Sequence, residues 1–443
     1  MFILFFLLLF SSISPVMAEG EVITINKAQY SAVPVAVNDF QAFSGADALL
    51  CDKIVEVINN DLKLSGAIKP IKRATFIENK TGIRNRPLFA AWKQISANFL
   101  VNGQVERIGR EIKVSFILWD VLLQKDLGGF AFQMPDRLWR RAAHKVSDQV
   151  YEKITGQTGY FDTKIAYAAQ FGTYLDRRTK IALMDWDGAN HEYLTAGDAF
   201  VTTPILSPKS DKLLYVSYKQ KVPKIYIKDL RSKKEKVLSN LPGMSFAPRF
   251  SPDGNCIIFS IARGGSTHLY EMNVHNGEYR QITHGNSINT SPSYSPDGKH
   301  IIFTSDRSGG GQLYVATRDG GNLRRISFGQ GSYLGPCFSP KGDYVVFTKV
   351  SSEIGFGLGI MKLDEDIQAS GERILATGYL IENAYWAPNG RTIIFSRQEP
   401  PVGSRVHSKL YMIDVSGHHE REVNTPDNAS SPYWSQPLEA MGM

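Results

Sequence analysis

Ala247-Pro248-Arg249-Phe250-Ser251-Pro252-Asp253-Gly254 is followed 44 residues later by Ser291-Pro292-Ser293-Tyr294-Ser295-Pro296-Asp297-Gly298. Looser copies read Thr203-Pro204-Ile205-Leu206-Ser207-Pro208, Gly335-Pro336-Cys337-Phe338-Ser339-Pro340, Asn383-Ala384-Tyr385-Trp386-Ala387-Pro388 and Ser431-Pro432-Tyr433-Trp434-Ser435. Counted at Ser207, Ser251, Ser295, Ser339, Ala387 and Ser435, the spacings are 44, 44, 44, 48 and 48. A fixed period of this length belongs to propellers and solenoids.

One period divides into four short strands. In 292–327, Pro292-Ser293-Tyr294 is the first, and Ser295-Pro296-Asp297-Gly298 is a turn with Pro and Gly where turn chemistry wants them. His300–Thr304, Gln312–Ala316 and Leu323–Ser327 are the other three strands, which makes one propeller blade. The second strands, Ile257-Ile258-Phe259, Ile301-Ile302-Phe303, Val345-Val346-Phe347 and Ile393-Ile394-Phe395, are unbroken apolar runs. A strand reads this way when both its faces are buried, as between two neighbouring blades. Six first strands need six second strands, but only five lie downstream of them. The missing one is upstream, at Lys164-Ile165-Ala166-Tyr167. The strand near Trp434 is therefore expected to pair with the strand near Ile165, closing a six-bladed ring and removing its open edge.

The remainder of the chain has another rhythm. Met1–Phe10 is almost wholly apolar, and Val16 and Ala18 occupy signal-peptidase positions, so 1–18 reads as a cleaved signal peptide although no Lys or Arg precedes the apolar run. Residues 19–32 read as an N-terminal segment, either an added edge strand, a partner-binding segment or a frayed end. Residues 33–155 read as a small α/β domain. Its expected parts are a strand at Val33–Val37 and a helix over Ala46–Asn60 with Leu49, Leu50, Ile54, Val57 and Ile58 on one stripe. A short helix over Pro87–Ile95, strands at Asn98–Ile108 and Glu111–Val121, and a helix from Arg137 to Ile154 complete it. A Gly-rich linker precedes the propeller at 161–436.

The net charge of +7 is spread out. Residues 19–160 carry 19 Lys/Arg against 15 Asp/Glu, and 161–443 carry 31 against 28. Neither excess makes a basic face, so nucleic-acid binding is not expected. Cys51, Cys256 and Cys337 are expected as three buried thiols without a disulfide, since the two propeller cysteines fall two blades apart. No Gly-x-Ser-x-Gly elbow, His-Glu-x-x-His, paired Cys-x-x-Cys or Walker loop occurs. His418-His419 reads as an exposed turn rather than a metal site, and Asp306-Arg307 as a loop ion pair. No cofactor is expected.

A ring of blades has a funnel on its axis, and the loops entering the innermost strands crowd one end of it. They bring Met244, Ser245, Phe246, Asn286, Asn289, Thr290, Tyr333, Glu382 and Asn383 there, with Asp306 and Arg307 from a second-to-third-strand loop. Amides interleaved with aromatics suit a wet protein–protein interface. Two other readings stay open. A periplasmic hydrolase or lyase would need carboxylates and His converging in the funnel. A carbohydrate-binding propeller would need stacking aromatics at the mouth, for which Tyr333 and Tyr379 are the candidates.

The order of signal peptide, α/β domain and propeller resembles the TolB family of the Tol-Pal system along the whole chain. Phe161-Asp162-Thr163-Lys164-Ile165-Ala166-Tyr167 is similar to the family's propeller opening, and Ser431-Pro432-Tyr433-Trp434-Ser435 to its closing strand. Thr304-Ser305-Asp306-Arg307 and Asn289-Thr290-Ser291-Pro292 also match. Met244 stands where the family commonly has His, and Lys209-Ser210 replaces the Asp-Gly of the first repeat. The resemblance implies a monomeric, periplasmic, non-enzymatic adaptor that supports outer-membrane integrity and invagination at division. It implies that the lipoprotein Pal binds at the propeller mouth, near Met244, Ser245, Asn289 and Thr290. It implies that TolA binds the N-terminal segment, with Glu21, Val22, Ile23, Ile25 and Tyr30 as candidate contacts.

Overall fold

The computed structural model describes residues 32–438 except 44, 46–47, 79–81, 84, 173–176, 221, 239 and 403–406. The signal peptide and Glu21–Tyr30 lie outside the described residues.

The N-terminal sheet holds β1 (Val33–Val37), β2 (Gln41–Phe43), β3 (Ile68–Pro70), β4 (Phe99–Ile108), β5 (Glu111–Asp120) and β6 (Lys125–Pro135). Its order is β3-β1-β4-β5-β6, with β2 also on β4. The first part is parallel and β4-β5-β6 is an antiparallel meander. Two 17-residue helices, α1 (Ala48–Leu64) and α3 (Trp139–Thr155), bury their stripes against it, and α2 (Phe89–Gln94) packs Trp92 into a smaller cluster. The stripe of α1 differs from expectation at one end: Leu49 is 63% exposed, because burial falls on Cys51, Ile54, Val55, Ile58 and Leu62. α3 ends at Gly156, whose φ of 69° closes the helix in the left-handed conformation that glycine adopts without penalty.

Six four-stranded antiparallel sheets follow. Their first strands are Val201–Leu206, Met244–Phe250, Asn289–Tyr294, Ser332–Phe338, Leu380–Trp386 and Asn428–Trp434, opening blades 1 to 6. The second strands are the most buried: Phe259, Phe303, Phe347 and Phe395 are wholly inaccessible. Blade 6 is completed by β7 (Lys164–Phe171), β8 (Arg178–Asp185) and Glu192–Tyr193. Tyr433 pairs with Ala166 and Trp434 with Ile165, so the C-terminal strand closes the ring.

The repeated Ser-Pro turn has a physical reason. Ser251 Oγ accepts the Cys256 N–H at 2.9 Å and donates to Asp253 at 2.5 Å, which ties the turn to the strand that follows. Ser295 does the same with His300 and Asp297, Ser339 with Tyr344 and Asp343, and Ser207 with Lys212 and Asp211. In blade 5, where Ala387 has no hydroxyl, the Asn389 side chain accepts the Arg391 and Thr392 N–H groups instead. Ser435 accepts the N–H of Lys164, so the same brace holds the joint between sequence-distant strands.

Of the cysteines, Cys51 and Cys337 are buried and Cys256 is partly exposed; all three are free thiols. Cys256 is the first residue of its strand, directly after the Ser251–Gly254 turn, where it is only partly covered.

Candidate functional site

The mouth is set by a bulge repeated six times. Each first strand shifts register once, between Thr202 and Ile205, Phe246 and Arg249, Thr290 and Ser293, Leu334 and Cys337, Glu382 and Tyr385, and Ser430 and Tyr433. At each shift one residue takes a left-handed backbone: Thr203, Ala247, Ser291, Gly335, Asn383 and Ser431, with φ from 50° to 57°. Only one of the six is glycine, so five positions hold backbone strain in a ring around the axis. Thr202 and Asn383 both reach the Ser431 hydroxyl, giving the throat a polar lining.

The sequence-predicted residues divide into two groups. Met244 (45% exposed), Asn286, Glu382 and Asn383 face solvent, and Phe246 and Thr290 are half-buried. Ser245, Asn289 and Tyr333 are buried, so they position the rim rather than present it. Asn289 donates to the Thr267 and Ser287 carbonyls and accepts a 2.7 Å bond from Arg307 Nη2. Arg307 Nε donates to Ser305 Oγ at 2.9 Å, and its guanidinium lies 4.9 Å from the Tyr314 ring centroid. Asp306 and Arg307 are not the loop ion pair the sequence suggested: the Asp306 carboxylate accepts the Ile288 N–H at 2.8 Å, while Arg307 turns inward. Together they pin the loop before Asn289 to the hairpin of the same blade. Burial lowers the Arg307 pKa, which stays a cation. Tyr333 donates to Glu372, and Lys349 bridges the two, so its ring packs inside blade 4 instead of stacking outward. Although Glu382 is exposed at the rim, crowding by the surrounding protein desolvates its carboxyl and pushes it above the usual carboxylate range, with Arg177 opposing.

Sequence reasoning missed three apolar rim residues: Ile288 (47% exposed), Phe328 (76%) and Val402. Phe328 was findable. Ile326-Ser327-Phe328 stands 44 residues after Ile282-Thr283-His284, on the loop leading into an innermost strand. With Met244 and Tyr379 these residues spread an apolar rim over four successive blades and around a polar throat.

A second cluster joins the two domains at the opposite end. His144 on α3 contacts Asp61 of α1 at 2.8 Å, and the Trp186 indole donates to the other Asp61 oxygen. Arg140 binds Asp185 and Asp187, and Lys164 binds Asp185. Burial opposes the charge on His144, yet Asp61, Asp187 and Asp185 raise its pKa to about 9. Donor atoms of Asp61, His144 and Asp187 lie within 4.8 Å of one another, a spacing that suits a metal ion. His144 already pairs with Asp61 and Arg140 with Asp187, so the cluster reads as an ion network and not as a cation site. His419 is exposed beside its turn, as expected, with its ring against Gly66 at the cleft between the domains.

A closed propeller with a rigid apolar rim, fused to a small α/β domain through a buried ionic junction, defines a binding scaffold. The comparisons agree on which scaffold. The model of the TolB beta propeller domain matches residues 151–438, and that of the TolB amino-terminal domain matches residues 21–127. The Tol-Pal system protein TolB of Rickettsia bellii (strain OSU 85-389) is 55% identical over 94% of this chain and 96% of its own. That of Rickettsia conorii (strain ATCC VR-613 / Malish 7) is 56% identical over 94% and 95%. The crystal structure of TolB from Acinetobacter baumannii superposes with a TM-score of 0.78 at 23% identity, covering 92% of this chain and 97% of that one, which shows the shared fold. The chain belongs to the TolB family of the Tol-Pal system and is not an enzyme.

Proposed function

We propose that this chain is a periplasmic adaptor with two docking sites, one for the lipoprotein Pal at the propeller mouth and one for TolA on residues 19–32. Through them it supports outer-membrane integrity and invagination at cell division. Residues 1–18 are removed as a signal peptide in this reading. No helix among the described residues is long and apolar enough to cross a membrane.

The observation that carries the mouth assignment is the rim itself. Met244, Ile288, Phe328 and Tyr379 expose large apolar side chains, while buried Asn289 and half-buried Arg307 fix one of the loops beneath them. Apolar anchors on a preorganised, polar-edged surface are what a protein partner needs for affinity. An axial cavity lies below the throat, and the described residues that line it include no Asp, Glu or His. That supports docking over the hydrolase or lyase reading. Tyr333, turned inward, does not supply the stacking platform of a carbohydrate site.

The test is capture from envelope extract with the mature protein and with a version lacking residues 19–32. Both should recover the lipoprotein, and only the intact form should recover the inner-membrane protein. Equal recovery of both partners by the two forms removes the two-site reading.

A further inference from the structure

The residue between Pro248 and Phe250, and its counterpart in each other repeat, is Ile205, Arg249, Ser293, Cys337, Tyr385 or Tyr433. All six line one axial cavity of about 590 Å³, open toward the Ser-Pro turns and away from the mouth. One layer around the axis therefore carries one side chain from each blade, and Arg249 is the charged member. Its guanidinium lies 5.9 Å from the ring centroid of Tyr385, which belongs to blade 5, three blades away. The arginine thus reaches across the axis.

Arg249 is nearly unpartnered. Nη1 donates to the carbonyl of its neighbour Pro248 at 2.9 Å, and Nε is buried with no hydrogen-bond partner. Among the described residues no carboxylate stands within 4.0 Å of it. A half-buried cation without a counter-ion is only partly compensated by water, and low-dielectric walls focus its field into the cavity. We propose that this cavity is a binding site for a small monocarboxylate with an apolar body, held by Arg249.

Three features select that class. The planar guanidinium fork matches a carboxylate in a two-point contact. One cation neutralises one negative charge, whereas a dianion would leave surplus charge buried. Phe250, Phe338 and Trp386 line the cavity with Tyr385 and Tyr433, whose ring centroids lie 4.4 Å apart, so the walls offer apolar surface to the rest of the acid. The site lies on the far side of the throat from the rim proposed for Pal, and neither needs the other.

The experiment titrates the mature protein with carboxyl-¹³C phenylacetate, followed by NMR, with sodium chloride, sulfate and inorganic phosphate at matched ionic strength. Saturable binding of one phenylacetate per chain is expected, competed by benzoate and not by sulfate or phosphate. Arg249→Gln should weaken it at least about tenfold, the loss of one charge-assisted pair; Arg249→Lys should retain part of it. Crystals of the wild-type protein soaked in 4-bromophenylacetate supply a readout independent of variant folding: bromine density in the axial cavity supports the site. Absence of saturable binding, equal affinity in folded Arg249→Gln, bromine density only elsewhere, or preference for sulfate or phosphate would each overturn the proposal.

Discussion

Ser210 stands where the later repeats place Gly254, Gly298, Gly342 and Gly390, and it adopts the same left-handed backbone, with φ of 54° against 67° to 75°. A side chain in that conformation costs about 1–2 kcal/mol, part of which a glycine returns through its looser unfolded state. Ser210→Gly should therefore stabilise the protein by about 0.5–1 kcal/mol, read as a higher denaturation midpoint at unchanged m-value. Arg307 is the converse case, a residue that fixes the rim without offering itself to a partner. Lys cannot hold Ser305 and Asn289 together while covering Tyr314. Arg307→Lys should weaken lipoprotein binding by about tenfold, mainly through faster dissociation, while the thermal midpoint moves little. Binding unchanged in that variant would place the partner away from this rim. The amide and charge at Asn289 and Arg307 were legible in the sequence as a polar mouth. Which of them faces solvent was not, because exposure there depends on the next blade's packing and not on local residue type.

At the scale of elements, α3 is the hinge support. Asp148 accepts the Phe161 N–H at 2.7 Å and the Asp162 N–H at 3.3 Å, fastening the start of the propeller to the helix. Burial pushes its pKa up to about 7, the two N–H groups oppose this, and Asp162 adds to it although Arg141 and Lys145 pair with Asp162. Its folded value lies above its unfolded value, so the folded state binds the proton more tightly. This contribution is complete below about pH 4 and is lost as pH rises to about 7. His144 works in the same direction in a higher window: its contribution is present below about pH 6.5 and is lost as pH rises through about 9. Asp148→Asn should flatten the lower part of the stability-against-pH curve and leave the upper part, as equilibrium unfolding between pH 4 and 10 would show. Asp61→Ala should cost about 3–5 kcal/mol, because it strands a buried imidazolium and the Trp186 N–H. None of this junction was visible in the sequence, since its partners come from α1, α3 and β8. The helices themselves were legible from their apolar period, and β4 and β5 from their runs. β6 escaped notice because Gly128-Gly129 interrupts an edge strand that is half exposed, and β3 because three residues carry no period.

The whole molecule was the most legible level, because a propeller repeats a short local code and each copy confirms the others. Ring closure followed from counting strands, an argument that needs topology but no side-chain geometry. Its energetic content rests on one strand. Trp434 is wholly buried, donates its indole N–H to Thr163 at 2.8 Å, and lies 5.8 Å from Tyr160 at the domain junction. Removing the ring while keeping the strand, as in Trp434→Ala, should cost about 3–5 kcal/mol and leave a closed but weaker propeller. Deleting residues 428–438 is a different perturbation. It exposes the inner edge of β7 and strips the Ser435 brace from Lys164. A ring opened on an apolar strand edge has no low-cost substitute for the lost pairing. The deletion should abolish the single cooperative unfolding transition and drive self-association, seen by calorimetry and gel filtration. Adding back a peptide of residues 428–438 should restore a monomeric, cooperative fold. Cooperative unfolding of the deleted chain without the peptide would mean that the propeller does not depend on its own tail for closure.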